Sequence, residues 1–425
     1  MSCNQTLTIG HIAQVFDGPH ATPKKIEAGP YFLSISSLEN GKLDLSKSAH
    51  VSDEDFKKWT RRVTPEEGDI LFSYETRLGE VAMMPAGITA CLGRRMGLLR
   101  PDRSKILPEY LLYAYQSPAF QETIRSKTIH GATVDRIALK ELPSFQIQVP
   151  PLSVQEKIVN VLKGYDRKLM LNSETNQTLE QMAQAIFKSW FVDFDPVKAK
   201  MNGELPKGMD AATASLFPEK LVESELGLIP EGWEASCMGE HFNITMGQSP
   251  KGETYNEEGE GIAFFQGRRD FGFRYPDVRV FTTDPKRYAK AGDTLISVRA
   301  PVGDKNMAAI DCCIGRGVAA IKHNSDSRSF TYAFMSHIEK KLGDSGSSGT
   351  VFSSINQKEL KKVSFVAPPP ELIEAFHKLL DPIDQKVEVL SGEIESLSSL
   401  RDTLLPKLLS GEINLDTTEE LVEVN

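Results

Sequence analysis

The stretch EEGDILFSYETRLGEV at residues 66–81 returns as KAGDTLISVRAPVGDK at residues 290–305, and nothing else in the chain restricts its possible folds so strongly. Gly68, Asp69, Leu71, Ser73 and Gly79 fall on Gly292, Asp293, Leu295, Ser297 and Gly303. Further matches follow in the same order. Cys91, Gly93 and Arg94 answer Cys313, Gly315 and Arg316, GATV at 131–134 answers SGTV at 348–351, LKEL at 139–142 answers QKEL at 357–360, and Pro150-Pro151 answers Pro368-Pro369. Order and spacing kept over so many positions mark a tandem duplication, so whatever one copy folds into, the other folds into as well.

Within each copy the signals are short β-type runs, YFLSIS at 31–36, DILFSY at 69–74, AFFQG at 263–267, DTLISV at 293–298 and GVAAI at 317–321, separated by Gly, Pro and Asn turns. Helical patterns cover 108–127 and 330–343. Each block is therefore expected to be an α+β domain with a mainly β core. A proline pair closes each block and opens a long amphipathic run. In the first run Leu169, Asn172, Asn176, Leu179, Ala183, Ile186 and Trp190 recur at alternating three and four spacing, a coiled-coil seam, with an interruption expected near Gly164 and Tyr165. In the second run Ile383, Val387, Leu390, Ile394, Leu397 and Leu404 form the seam, Arg401 breaks it, and Asp381-Pro382 reads as an N-cap followed by Pro at the first helical position.

The expected layout is thus two tandem domains separated by two long antiparallel coiled-coil helices, with a pseudo-twofold internal repeat. Its segments are a first domain at 1–150, a spacer helix at 151–200, a linker at 201–229, a second domain at 230–367, a second spacer helix at 368–413 and an acidic tail at 414–425. A helix of roughly 25 residues would hold the domains about 35 to 40 Å apart, close to one turn of B-DNA. A solvated connector with no measuring role is the plainer alternative.

Net charge is −9, which by itself argues against contact with nucleic acid. The acidity lies in the helices and linker, however: each block holds 18 Lys and Arg against 17 Asp and Glu. Paired cations such as Arg61-Arg62, Arg94-Arg95 and Arg268-Arg269 leave room for basic faces on both blocks, although such pairs are also common on any solvated surface. Five cysteines without a CxxC pair read as reduced, buried thiols. The N-terminal stretch has neither a basic start nor an apolar core, and no run is long enough to span a bilayer, so a cytoplasmic chain with no membrane contact is expected.

No catalytic constellation emerges. GxxxxGK[ST], GxGxxG after a strand, HExxH and an adenine-methyltransferase tetrapeptide are all missing, and the histidines lack ligand-spaced partners, so no metal site is expected. Asp69 with Glu75, or Asp193 with Asp195, could be drawn as metal-binding carboxylates, but Arg299 stands where Glu75 would recur and the second pair lies in an aromatic helix end. What remains is a duplicated architecture of the kind that addresses two DNA half-sites.

The chain is similar to the specificity subunit of type I restriction-modification enzymes. The residues that carry the resemblance are KSWFVDFDPVKAK at 188–200, LFPEKLVESELGLIPEGWE at 216–234, MGQSPKGETYN at 246–256, GDTLISVRAPVG at 292–303 with IGRG at 314–317, and the proline-led entry into each helix. It covers nearly the whole chain and is looser over the first 150 residues. The resemblance implies two target recognition domains, each reading one half of a bipartite, asymmetric sequence in double-stranded DNA. It also implies helices that set the spacer and dock two methyltransferase subunits, which use S-adenosylmethionine to methylate adenine at N6, beside restriction subunits that use ATP and Mg. None of these cofactors is expected on this chain.

For DNA contact the expected residues are Ser73, Tyr74, Arg77, Arg94, Arg95, His130 and Thr133 in the first block, and Gln266, Arg268, Arg269, Arg299, Lys305, Arg316, Ser348 and Thr350 in the second. The aromatic cluster Phe187, Trp190, Phe191 and Phe194 is a candidate partner interface, with a simple core role as the alternative. Two other classes stay open: a freestanding DNA-modifying enzyme and a scaffold that binds only protein.

Overall fold

The computed structural model describes residues 5–39, 41–131, 133–344, 354–413 and 415. The chain divides into two compact units, Met1–Met170 with Glu395–Asn425, and Leu171–Ile394. Each unit contains one of the repeated blocks and one half of each of two long helices, Leu152–Phe191 and Pro370–Ser410.

In the first unit an antiparallel sheet runs in the order Ala13–Asp17, Met96–Pro101, Ile70–Ser73 and Val81–Met83. In the second the order is Phe242–Met246, Val318–His323, Thr294–Ser297 and Lys305–Met307, which is the same topology strand for strand. Ile26–Phe32 pairs in parallel with Ala90–Cys91, and Ile262–Phe265 pairs in parallel with Cys312–Ile314. Each block is closed by its own ends: Gln5–Thr8 pairs with Gln146–Val149, and Glu234–Cys237 with Ser364–Ala367. Chain entry and chain exit therefore meet where each long helix starts.

The repeat extends to single hydrogen bonds. Asp69 N–H donates to Glu66 O and Asp293 N–H to Lys290 O, both at 3.0 Å, and the carboxylates accept the Glu66 and Lys290 N–H groups at 2.8 Å. Only one carboxylate is then neutralised. Asp69 accepts two bonds from Arg100, at 3.0 and 2.8 Å, whereas burial raises the Asp293 carboxyl above its ordinary range. Burial likewise pushes the Cys91 and Cys312 thiols up to about 12, so both are inert thiols.

Two expectations about the helices need correction. The first helix is continuous through Gly164, because that glycine is exposed and the roughly 1 kcal/mol it costs a helix is outweighed by the buried Ile158, Val159 and Leu162 just before it. The second starts at Pro370 and runs through Pro382. Asp381 is consequently no cap. It accepts hydrogen bonds from Arg328 at 3.0 Å and Gln385 at 2.5 Å, while Leu380, Asp384 and Val387 lock the turns around the proline into the core. The true start is held by Pro369 O, which accepts from Leu372 and Ile373.

Within the second unit the seams run antiparallel, since Asn172 donates to Glu393 at 2.9 Å and Asn176 to Ser391 at 3.2 Å. In the first unit the seam-breaking Arg401 meets Asp166 at 3.2 Å. These polar contacts fix which turn faces which, as buried amides do in coiled coils.

The aromatic cluster expected at a partner interface lies instead in the core of the second unit. Phe187, Trp190, Phe191 and Phe194 are all at most 9% exposed, and Trp190 meets Phe217 and Phe376 edge-on at 5.3 and 5.8 Å. Phe330 reaches Phe187 and Phe191 from the block's own helix, Arg328–Asp344. Apolar area on the last turns of the first helix leaves water only by packing there, which explains the choice between the two roles. Accordingly, Trp190→Ala should cost the free chain about 3–5 kcal/mol in urea unfolding, while the half-exposed Met182→Ala should change it by no more than about 0.5 kcal/mol. Equal stability of the two variants would return Trp190 to the surface.

Candidate nucleic-acid interface

In each unit a strand-to-strand loop, a glycine turn and a third segment are laced together by the same backbone bonds. In the first, Tyr74 N–H donates to Arg95 O at 3.2 Å and Ile137 N–H to Tyr74 O at 2.9 Å. In the second, Val298 N–H donates to Gly317 O and Ile355 N–H to Val298 O, both at 3.0 Å. Ser73 Oγ donates to Glu75 O at 2.7 Å, and Ser297 Oγ to Arg299 O at 2.8 Å. Gly79 and Gly303, at φ of 88° and 103°, turn each loop back, a conformation that side-chain-bearing residues rarely adopt.

The framework is common, but what it displays differs. In the second unit Gln266, Arg268, Arg299 and Arg316 line one recess of roughly 300 Å³ together with Ser249 and Ser297. Arg268 is paired with Asp304. Among the described residues the Arg299 and Arg316 side chains form no ion pair, so both are free to meet an anion. Arg316 is aimed by its backbone, whose N–H donates to Ser249 Oγ at 3.2 Å. Arg269 is exposed on the same short turn as Arg268, Arg268–Asp270. Three arginines beside a glutamine on one concave face suit phosphate oxygens and purine edges, because guanidinium groups offer paired donors and the amide both donates and accepts.

The first unit shows a more restrained surface. Arg95 pairs with Glu75 at 2.7 Å, and Arg77 donates to Ile35 O and Glu80 at 3.2 and 3.3 Å. Arg94 and Thr133 are exposed, and His130 is exposed with Nδ1 3.1 Å from Asp135. Tyr74 is buried, and burial, then the carboxylates of Asp17 and Glu75, raises its hydroxyl above the ordinary range. The outward set here is therefore Arg94, Arg95, His130 and Thr133.

Two expected contact residues are reassigned to structural work. Ser73 is fully buried and spends its hydroxyl on its own loop. Lys305 turns inward to Glu339 at 2.7 Å and lies over the Tyr332 ring. Ser348 and Thr350 lie outside the described residues. Sequence reading missed Ser249, whose only signal was its place in MGQSPKG, and Arg274, whose partners are far away in the chain. The carboxylate pairs weighed for metal chemistry are occupied. Asp69 holds Arg100, Asp193 holds Lys188, and Asp195 accepts from Ser189 at 2.8 Å. Among the described residues no group of three or more His, Cys, Asp or Glu could hold a metal ion, and no helix is long and apolar enough to cross a membrane.

Comparison with known proteins accords with this geometry. The sequence model described as type I restriction modification DNA specificity domain matches twice, at residues 4–181 and 230–399. A Methanocaldococcus jannaschii chain assigned as the specificity subunit of type I restriction enzyme MjaX is 32% identical over 416 residues, 94% of this chain and 91% of that one. The specificity subunit of the Haemophilus influenzae type I restriction enzyme HindI is 28% identical over 74% of this chain and 80% of its own length. In fold, the crystal structure of a type I restriction-modification S subunit from M. genitalium is similar over 96% of both chains, with a TM-score of 0.58 at 18% identity.

The recess sets up a sharp test. Arg299→Ala with Arg316→Ala should lower the slope of log affinity for duplex DNA against log salt by about one for each phosphate no longer neutralised, measured by fluorescence anisotropy. Lys305→Ala should leave that slope unchanged, because its ammonium is already committed to Glu339.

Proposed function

The chain belongs to the type I restriction modification DNA specificity family, and on that footing we propose that each of its two modules reads one half of a bipartite, asymmetric target in double-stranded DNA. The observation that carries the reading is one loop framework built twice with non-equivalent outward side chains. Arg299 replaces Glu75 and Gly317 replaces Arg95, so the two modules offer different donors to base edges and the two half-sites differ in sequence.

The chain's contribution is binding and geometry. It is a non-catalytic, cytoplasmic subunit whose helices set the unread spacer and dock two methyltransferase subunits. Those subunits supply S-adenosylmethionine chemistry at adenine N6, and restriction subunits supply the ATP- and Mg-dependent cutting of unmodified DNA. With the four-aromatic cluster buried in the core, docking falls to the outer faces of the helices, where Met182 and Val389 are exposed. The antiparallel seam of the second unit supports the spacer role, since its buried amides fix the register in which the two helices face each other.

Long-read mapping of adenine methylation, in cells carrying the chain with its methyltransferase and again after its deletion, should show a gapped two-part motif that disappears on deletion. Arg268→Ala with Arg269→Ala should weaken one half only, by about 1–3 kcal/mol for each base that is no longer read. An unchanged methylome would favour a scaffold that binds only protein, and methylation by the purified chain alone would favour an enzyme. Adding one heptad to both helices should lengthen the unread gap and leave both half-site sequences as they were. An unchanged gap would remove the helices from the measuring role.

A further inference from the structure

The guanidinium of Arg274 is 2% exposed, and its partners come from three separate elements of the second unit. It pairs with Glu180 on the first long helix and with Asp384 on the second, the latter at 2.5 Å, and its carbon lies 3.7 Å from the centre of the Tyr332 ring on the block's own helix. The other Asp384 oxygen accepts from Ser329 Oγ at 2.5 Å, so the carboxylate is fully engaged. Its nearest neighbours in sequence connect this clamp to the recess. The segment leaves the recess at Gln266, makes the turn that bears Arg268 and Arg269, and enters the clamp only four residues after Asp270.

Both ends of that segment are stiff. Asp270, itself buried, accepts from Gln266 N–H at 2.9 Å and pairs with Arg279, which fixes the turn. Asn306, fully buried, accepts from Gly272 N–H at 2.9 Å and donates to Gly272 O at 3.0 Å, while Arg274 O accepts from Met307 N–H at 2.7 Å. A displacement of Arg274 is therefore carried to Arg268 and Arg269 rather than absorbed between them. Among the described residues Arg274 Nε is buried without a hydrogen-bond partner, so the site is a costly way to gain stability alone.

Resting on the DNA-specificity reading, we propose that Arg274 is a positioning residue that registers the second recognition module on the helix pair. In this role it determines how strictly that module's half-site and its spacing from the other half are enforced. Arg274 touches neither the recess nor DNA. It acts through the 266–274 segment, because a guanidinium fork held by two carboxylates on two helices admits one angular setting, which a single flexible contact would not.

The test uses the full chain with its methyltransferase in cells, read by long-read methylome mapping. The half assigned to the second module is identified beforehand as the one weakened by Arg268→Ala with Arg269→Ala. Arg274→Met should raise methylation at sites with one mismatched base in that half by about fivefold or more, the lower end of what a mismatch ordinarily costs, and admit sites whose gap is one base pair off. Mismatches in the other half should stay rejected. Because Arg274→Met leaves the buried Asp384 and the mostly covered Glu180 uncompensated, the charge-free variant Arg274→Met, Glu180→Met, Asp384→Leu is mapped beside it and should relax the same half while co-purifying with the methyltransferase as the unmodified chain does. Either variant assembling normally with an unaltered motif and gap would overturn the proposal, as would equal relaxation of both halves by the charge-free variant. Were the unmodified chain to direct no two-part motif, the specificity reading would fail and this inference with it, a result distinct from an intact motif that ignores Arg274.

Discussion

The last two turns of the first long helix are apolar on the side that faces the second recognition block, and their burial is the interaction on which that unit depends. Phe187, Trp190 and Phe191 interlock with Phe330 and Phe376, so one cluster joins a helix half, the block's own helix and the second long helix. Removing that surface from water gives stability without direction. Direction comes from the polar contacts placed around it. Asn172 and Asn176 select the facing turns, and the Arg274 clamp selects the angle.

The same division of labour runs through the recognition loops. Backbone bonds, a buried serine hydroxyl whose proton is committed to its own loop, and a left-handed glycine hold the loop shape in both modules. Free capacity belongs to the side chains outside that lattice. In the second module Arg299 and Arg316 have it, whereas in the first Arg77 and Arg95 are engaged with Glu80 and Glu75. A buried frame tolerates changes at its exposed positions, because substitution there alters neither packing nor backbone bonding. Modules that share a fold are thereby able to present different chemistry.

Much of this was legible in the sequence, and the parts that were not share a cause. The duplication, the strand runs and both seams follow from local pattern, which is why Gly68, Asp69 and Ser73 match Gly292, Asp293 and Ser297 in the sequence itself. Gly164 misled as a helix breaker and Pro382 as a helix start because neighbouring turns are locked by tertiary packing that a local signal does not contain. Ser73 resembled a contact residue because composition cannot tell a hydroxyl offered to solvent from one that satisfies its own loop. Arg274 was invisible for the plainest reason: its partners stand 94 and 110 residues away, and only folding brings them together. A trace of it existed in Asp384, an acid set beside the apolar seam residue Ile383.

The two copies of that acid sharpen the contrast between the units. Asp166 and Asp384 each stand sixteen residues beyond the first proline of the pair that precedes their helix, Pro150 and Pro368, so they occupy one repeat position. Asp166 accepts from Tyr113 at 2.6 Å and takes its cation, Arg401, from the opposing helix. Asp384 takes its cation from the recognition module itself. In the first unit the charge pair is complete between the helices, and the module adds only a neutral donor. In the second the helices carry the acids and the module carries the countercharge, so the helix pair leaves two carboxylates uncompensated until the module is seated in its single setting. One guanidinium answering acids on two helices ties the module to both of them at once, because an acid left in a buried site without its cation is costly.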